Sequence, residues 1–411
     1  KLDLVSIPGS VTSINDYAFY SCESLTSISI PNGVTFIGHE AFSHCYWLTT
    51  IFLPKTVAEL RLNPFLQCTG LESIEVSYDN PYFASNEGVL FSKDMMRLVV
   101  YPQNRIGNYD IPDTVRSIGH KAFHYARHLQ VLTIPAGVEI IEGCLIKDCR
   151  NIVSIDASEE NKHFISRDGV LFTKDMSVLL SCPPMKGGVY EVPSSVTSIG
   201  KYAFSCTHFT SVIIPSGVVS IGKEAFFSSA FLTEIEIPDS VTSLGHSEFC
   251  FCSGLTKVKL PKGLTSIPDG TFHNCSLLAD ITIPVSVTSI GQCAFSFCSS
   301  LTEIAIPENV TAIEQSAFRG CSRLKSISLP RGLGSIDSLL LCECCDLEDI
   351  VIPEGVTSIG FWGFRRCTSL QRIIIPKSVT FIGENGFGEC TRLVSAFLPR
   401  ELEYFADEFP A

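Results

Sequence analysis

The stretch PVSVTSIGQCAFSFCSSLTEIAI, residues 284–306, contains the pattern that decides the fold. Its final part, residues 301–306, reads Leu-x-x-Ile-x-Ile and ends in the period of two that is typical of a strand with one buried face. Pro307 cannot donate to a strand ladder, so it ends that strand and turns the chain. Residues 287–290 predict a second, shorter strand. Ala-Phe-x-x-Cys at 294–298 predicts one helical turn with the phenylalanine and the cysteine facing inward.

The same pattern recurs along the whole chain. Fifteen of the 22 prolines follow an apolar residue at a step of 23 residues, apart from one step of 22 and two of 58, and they delimit 14 units. These prolines are Pro8, Pro31, Pro54, Pro112, Pro135, Pro193, Pro215, Pro238, Pro261, Pro284, Pro307, Pro330, Pro353, Pro376 and Pro399. A unit of 23 residues cannot bury its apolar faces alone, so successive units are expected to stack coil on coil around a continuous core.

The sequence therefore predicts an α/β repeat fold with a solenoid architecture. We expect a right-handed solenoid with a parallel sheet on its concave side and short extended and helical turns on the other sides. Residues 1–411 are expected to form a single solenoid of this kind. Glycine follows the short strand in eight of the 14 units, where it is expected to permit a corner.

The two long steps contain related inserts at about residues 76–110 and 157–191. They match each other at an offset of 81: NPYFASNEGVLFSKDM begins at Asn80 and NKHFISRDGVLFTKDM at Asn161. The Glu-Gly and Asp-Gly pairs inside these stretches are hairpin turn signals, so each insert is predicted to be a small meander of strands. We expect the inserts to be structural additions. The alternative is that they shape a partner site, since loops on a rigid scaffold often carry function.

Most of the 18 cysteines follow the repeat. Eleven occupy one repeat position, and Cys206 is expected to be a twelfth, displaced by the 22-residue step. The eleven are Cys22, Cys45, Cys68, Cys149, Cys252, Cys275, Cys298, Cys321, Cys344, Cys367 and Cys390. We expect a column of buried, mostly reduced thiols that act as small apolar side chains, and Ala126 and Ser229 at two rungs indicate that size matters more than sulfur. The cysteine cluster at 342–345 lacks paired C-x-x-C or Cys/His sets, so we expect no metal site.

Charge and motifs narrow the range of functions. The net charge is −13 at pH 7, and an acidic chain repels phosphate backbones, so nucleic acid is not an expected partner. No run of about 18 apolar residues predicts a membrane span. No H-E-x-x-H, G-x-S-x-G, Walker or complete dinucleotide motif is present, so we expect neither an enzyme nor a cofactor.

The repeat resembles the BspA-like, Treponema-type leucine-rich repeats. The pattern I-P-x-x-V-T-S-I-G-x-x-A-F-x-x-C-x-x-L-x-x-I-x-I-P is clearest at residues 237–261, 283–307 and 352–376, and the resemblance covers essentially the whole chain. It implies a leucine-rich-repeat solenoid, on a surface-associated or secreted protein that adheres to host proteins or to other cells. Binding positions vary within the family, so the resemblance carries over no functional residue.

The strand that ends each unit should present its outward side chains on the concave sheet. Inward positions keep an aliphatic residue, whereas outward positions vary in chemistry, and folding alone requires no outward phenylalanine or isoleucine. The candidate partner-binding residues are Phe52, Ile213, Glu234, Glu236, Lys257, Lys259, Arg372, Ile374 and Phe397.

We therefore expect a non-enzymatic interaction scaffold. It would lie at the cell surface or outside the cell, although no signal or anchor segment is recognisable in this chain. It would bind a protein or glycan of a host or neighbouring cell through the concave ribbon and the inserts. The first alternative is a structural spacer that presents another domain of a longer protein. The second is an enzyme assembled across coils, which would need a pocket with converging polar groups.

Overall fold

In a computed structural model, the chain is described over residues 4–397 and divides into two compact units. Unit 1 comprises residues 4–186 and 200–206, and unit 2 comprises residues 187–199 and 207–397. The last repeat proline, Pro399, lies outside the described residues. A single solenoid over the whole chain stays a prediction.

Unit 1 contains two columns of parallel strands joined by tight turns. The long strands end each repeat: Leu4–Ser6, Ser27–Ser29, Thr50–Leu53, Ser73–Val76, Gly107–Asp110, Leu129–Ile134 and Ser154–Ala157. The short strands follow each repeat proline: Ser13–Ile14, Phe36–Ile37, Glu59–Leu60, Ser117–Ile118 and Ile140–Ile141. Equivalent residues of successive coils pair in parallel, as Ile51 does with Ile74 and Ile14 with Ile37.

Unit 2 repeats this arrangement. Its long strands are Gly187–Glu191, His208–Ile213, Glu234–Glu236, Lys257–Lys259, Asp280–Ile281, Glu303–Ala305, Ser326–Ser328, Asp349–Val351, Arg372–Ile374 and Ser395–Phe397. Its short strands are Ser198–Ile199, Ser220–Ile221, Ser266–Ile267, Ser289–Ile290, Ala312–Ile313, Ser335–Ile336, Ser358–Ile359 and Phe381–Ile382. Ile304 pairs with Ile327, and Ile290 with Ile313, so the predicted parallel stacking is confirmed.

The predicted helical turn is wrong, because residues 4–397 contain no helix. Cys293 and Phe297 have φ angles of 55° and 60°, in the left-handed region that an α-helix cannot contain. The N–H of Ser296 donates to Cys293, three residues earlier, over 3.1 Å, whereas the N–H of Phe295 donates to a carbonyl of the next coil over 2.8 Å. The segment is a series of tight turns that also extends the ladder between coils. The units are thus β-solenoids and not α/β repeats.

The glycine after the short strand has a different role from the predicted one. Neither Gly291 nor Gly360 has a left-handed φ. A Cβ on Gly291 would lie 2.7 Å from the backbone nitrogen of Asp269, and one on Gly360 would lie 2.5 Å from that of Ser338. At these two positions the close approach of the preceding coil leaves no room for a side chain, and no left-handed φ is required.

The phenylalanine predicted to face inward does so in unit 2, where it forms a column. Consecutive rings are fully buried, with centroids 5.2–5.6 Å apart, at Phe226, Phe249, Phe272, Phe295 and Phe318. A cysteine column runs beside it. The Cys298 thiol donates to the carbonyl oxygen of Phe272, in the preceding coil, over 3.2 Å. The other buried cysteines of the column in this unit likewise donate to a backbone carbonyl 26 residues earlier in the sequence. Sulfur therefore contributes a hydrogen bond as well as size.

Cys206 is not a twelfth rung of the cysteine column. Its φ of 60° places it at the left-handed position that Phe297 has in its own coil, and its Sγ lies 3.8 Å from Oδ1 of Asp148. Thr207 fills the rung instead: it is buried, and its Oγ1 lies 3.3 Å from Oγ of Ser229. The 22-residue repeat therefore lacks a residue after Thr207 and not before it, so the column of inward side chains continues through this coil.

Each insert is an antiparallel meander, as predicted. The strands are Phe83–Asn86, Val89–Ser92 and Arg97–Val100 in the first insert, and Phe164–Arg167, Val170–Thr173 and Val178–Ser181 in the second. Glu87 and Gly88 both have left-handed φ angles, 51° and 78°, which a two-residue hairpin loop of the primed type requires. Arg97 then pairs in parallel with Ser117, so the third strand joins the column of short strands.

One coil of unit 2 lacks its short strand, which the repeat predicts at residues 243–244. Glu248 of that coil is fully buried at a position that is alanine in seven of the 14 units. Its Oε2 accepts a 2.9 Å hydrogen bond from the N–H of Gly245. In the preceding coil the equivalent N–H, of Gly222, donates to the carbonyl of Ile199. Glu248 therefore takes an N–H group that the ladder between coils would otherwise use.

Replacing Glu248 should stabilise unit 2 in a pH-dependent way. Burial raises the pKa of the Glu248 carboxyl well above its usual value, and Glu224 on the adjacent coil adds to this. In the unfolded chain the pKa is about 4.3, so stability is highest below that pH and falls as the pH rises towards the folded-state pKa. We expect Glu248→Ala to be more stable than the parent by about 1–3 kcal/mol at neutral pH, with a smaller difference near pH 4. Urea unfolding across this pH range measures it.

Glu248→Gln is the matched control for this prediction. It has the shape of the parent side chain but does not ionise, so its stability relative to Glu248→Ala should not change with pH. A constant difference between parent and Glu248→Ala over the whole range would contradict the assignment of a raised pKa.

The cysteine column gives a second prediction. Cys298→Ala removes a buried atom and a donor, and should cost about 1–2 kcal/mol of unfolding free energy. Cys298→Ser keeps a donor facing the Phe272 carbonyl and should cost less than alanine. Denaturant unfolding of both variants separates the two contributions. A larger loss for serine than for alanine would show that the thiol acts only as an apolar filler.

Candidate partner-binding surface

Alternation along the long strands positions the candidate residues. In Glu234–Glu236 the central Ile235 is buried and both glutamates are exposed, because successive side chains of a strand point to opposite faces. Parallel pairing places Lys257 next to Glu234 and Lys259 next to Glu236. The outward face of unit 2 therefore carries two rows of side chains, which we call the ribbon. The first row is Ser211, Glu234, Lys257, Asp280, Glu303, Ser326, Asp349, Arg372 and Ser395. The second row is Ile213, Glu236, Lys259, Thr282, Ala305, Ser328, Val351, Ile374 and Phe397.

Five of the nine candidates lie together at one part of the ribbon. They line a shallow hollow of about 470 Å³ and are Ile213, Glu234, Glu236, Lys257 and Lys259. Three others line a second hollow of about 380 Å³ and are Arg372, Ile374 and Phe397. Eight of the nine candidates therefore lie on the outward face of unit 2, in two groups.

Charged side chains of the first hollow pair across neighbouring coils. Lys257 Nζ lies 2.7 Å from Oδ2 of Asp280, and the ammonium of Lys259 contacts the carboxylate of Glu236. Hydrogen bonding to these carboxylates raises the pKa of both lysines. All four side chains remain exposed, so water screens the pairs, and the groups can exchange their partners for those of a ligand.

The second hollow is lined by both apolar and charged side chains, and it contains a residue that the sequence analysis did not select. Val351 lies in the same row as Ile374 and Phe397, and the three side chains are 76%, 68% and 64% exposed. All three occupy the second position before a repeat proline. That shared position places Val351 on the outward face, and only the restriction to phenylalanine and isoleucine left it out of the candidates. Asp349 and Arg372 lie in the first row beside them.

Phe52 is not part of either cluster. It lies in unit 1, half exposed, and its in-register neighbour is Glu75. In this unit the inserts interrupt the outward face, because the N–H of Ile74 donates over 2.8 Å to the hairpin glycine Gly88. Ser73, in the same strand, is half-buried under that turn.

Two kinds of feature are absent from the described residues. Between residues 4 and 397, no group of three or more His, Cys, Asp or Glu side chains could hold a metal ion. Nor does this part of the chain contain a helix long and apolar enough to cross a bilayer.

Parallel strands stacked at each repeat, with aliphatic residues inward, define a leucine-rich-repeat protein. The family model described as BspA type leucine rich repeat region, with 6 copies, matches residues 1–87, 99–168, 189–302 and 288–409, and the chain belongs to this family. The resemblance inferred from the sequence is therefore confirmed. Membership implies a protein-interaction scaffold, and leucine-rich-repeat folds are typically non-enzymatic.

Solved structures show the same fold. A leucine-rich repeat protein from Eubacterium ventriosum is 23% identical with a TM-score of 0.54, covering 89% of this chain and 90% of that chain. One from Bacteroides ovatus is 27% identical with a TM-score of 0.50, covering 79% of this chain and 81% of that one. No curated protein matches the sequence.

Substitutions at adjacent residues of one ribbon strand should differ sharply in their effect on the stability of the folded chain. Ile374 is exposed whereas Ile373 is 1% exposed. Ile374→Ser should change Tm by no more than about 2 °C, because the side chain lies in water in the folded and unfolded states. Ile373→Ser should cost about 3–5 kcal/mol, because it leaves a cavity and buries a hydroxyl. Calorimetry of both variants tests which face is outward, and a similar loss for both would contradict the assignment.

Proposed function

We propose that the chain is a non-enzymatic scaffold that binds a partner protein through the ribbon of unit 2, at the cell surface or outside the cell. The partner would belong to a host or to a neighbouring cell. The family supports an interaction role, and the ribbon supplies the surface.

Three consecutive exposed apolar side chains carry the proposal. Val351, Ile374 and Phe397 follow one another in the second row, at a position where the three preceding coils have threonine, alanine and serine. The fold therefore does not require apolar residues there, and apolar surface in water costs free energy that only a partner recovers. Such anchors at the centre of a contact, with charged groups around them, are typical of protein interfaces.

The charged hollow complements this apolar surface. Glu234, Glu236, Lys257 and Lys259 alternate in sign across two coils. A mixed pattern of this kind favours a partner with matching charges and suppresses others, so it contributes to specificity and association rate more than to affinity.

A binding screen with purified matrix proteins and cell-surface proteins tests the proposal. We expect the triple variant Val351→Ser, Ile374→Ser, Phe397→Ser to weaken binding at least about tenfold, since hot-spot side chains carry most interface energy. The double variant Glu236→Lys, Lys259→Glu should mainly change the association rate and its dependence on salt.

Trp47→Ser is the matched control for the triple variant. Trp47 is 68% exposed and lies outside the ribbon, so its removal takes away a large exposed apolar side chain without touching the proposed site. Unchanged binding by the triple variant would reject the ribbon as the partner-binding site and would favour the alternative that the chain is a structural spacer.

A further inference from the structure

The two inserts of unit 1 share one framework. Nδ2 of Asn80 donates to the carbonyl oxygens of Pro54 and Val57 over 2.9 and 3.0 Å, and Asn161 makes the same two bonds in its own coil over 2.8 and 2.9 Å. Both asparagines also accept hydrogen bonds from the backbone two and three residues later. A buried asparagine thus fixes the same turn in each insert.

The exposed side chains on this framework differ between the inserts. Tyr78 is 93% exposed, and its equivalent 81 residues later is Glu159. Tyr82 is 52% exposed, and its equivalent is His163. Because the second insert forms the same turn with glutamate and histidine, folding requires neither tyrosine.

Lys93 hydrogen-bonds to the backbone of both tyrosines, as Lys174 does to Glu159 and His163 in the second insert. Its Nζ donates to the Tyr78 carbonyl over 2.9 Å and lies 5.7 Å from the centre of the Tyr78 ring. Its backbone N–H donates to the Tyr82 carbonyl over 2.8 Å. Asp79 and Pro81 between the tyrosines are both exposed. We call residues 78–82 with Lys93 the tyrosine turn.

We propose that the tyrosine turn binds a neutral sugar residue of a glycan, a site separate from the ribbon. One face of a pyranose ring consists of C–H bonds and is about as large as a phenol ring, so it packs on an exposed aromatic side chain. The sugar hydroxyls need donors and acceptors, and the Lys93 ammonium, the Asp79 carboxylate and the tyrosine hydroxyls supply both.

The surroundings of Tyr78 favour a sugar over a protein. A protein hot spot lies in a pocket whose rim excludes water, whereas Tyr78 is 93% exposed and has no such rim. Lys93 and Asp79 carry opposite charges, so the turn has no net charge that would select an ionised sugar. A single sugar contact of this size should have a dissociation constant on the order of 1 mM, which multivalent display on a glycan would strengthen.

The whole chain, labelled with ring-¹³C tyrosine, provides the test by NMR. Cellohexaose, mannohexaose and chitohexaose are titrated separately, with a heparin hexasaccharide as the ionised comparison. We expect at least one neutral oligosaccharide to give saturable shifts at Tyr78 and Tyr82 and at no other of the 11 tyrosines. The single variants Tyr78→Glu and Tyr82→His assign these signals.

The second insert supplies variants that should fold. The double variant Tyr78→Glu, Tyr82→His copies residues that the same framework already carries, and it should weaken oligosaccharide binding at least tenfold. Adding Glu159→Tyr and His163→Tyr to it should restore binding at the other insert. The ribbon triple variant should bind the oligosaccharide like the parent. This result distinguishes sugar binding at the tyrosine turn from protein binding at the ribbon.

Three results would overturn the proposal. They are the absence of shifts with all three neutral oligosaccharides, shifts that persist in the Tyr78→Glu, Tyr82→His variant, and binding of the heparin hexasaccharide alone. Binding of a protein partner that is lost in the double variant, without any sugar response, would assign the tyrosine turn to protein recognition instead.

Discussion

Hydrogen bonding between backbones of successive coils is the constraint on which each unit depends. Because it holds neighbouring coils about 4.8 Å apart, a residue lies directly above the residue at the same repeat position. Inward positions therefore favour side chains that stack on their own kind, as the phenylalanine rings of Phe272 and Phe295 do at 5.3 Å. Gly291 has no room for a Cβ, and the Cys298 thiol finds its acceptor in the coil before.

The same constraint leaves the outward positions free to vary. Side chains of neighbouring coils come close enough to pair, so Lys257 contacts Asp280 without any adjustment of the backbone. Changing one outward residue alters neither the ladder nor the core. Charged and apolar clusters can therefore form on the sheet through substitutions that cost little stability, and recognition is separated from folding.

The period of 23 residues made the strands, the inward columns and the ribbon predictable, because each follows from alternation and stacking. The turns were not, since the spacing of Phe295 and Cys298 fits a helical turn equally well. Only the partner in the next coil, which the local sequence does not contain, selects tight turns with left-handed residues such as Phe297. Alternation also places Val351 on the outward face, but it was not selected because only outward phenylalanine and isoleucine were treated as unnecessary for folding.

Glu248 shows that the two strand columns are separable. Its carboxyl takes the N–H of Gly245 from the ladder, and the coil loses its short strand. The long strand of the same coil, Lys257–Lys259, nevertheless pairs in register on both sides, with Glu234 in one neighbour and Asp280 in the other. The long strands alone therefore hold the rows of the ribbon at their spacing. A defect on the opposite side of a coil is tolerated, because it does not displace the side chains that face a partner.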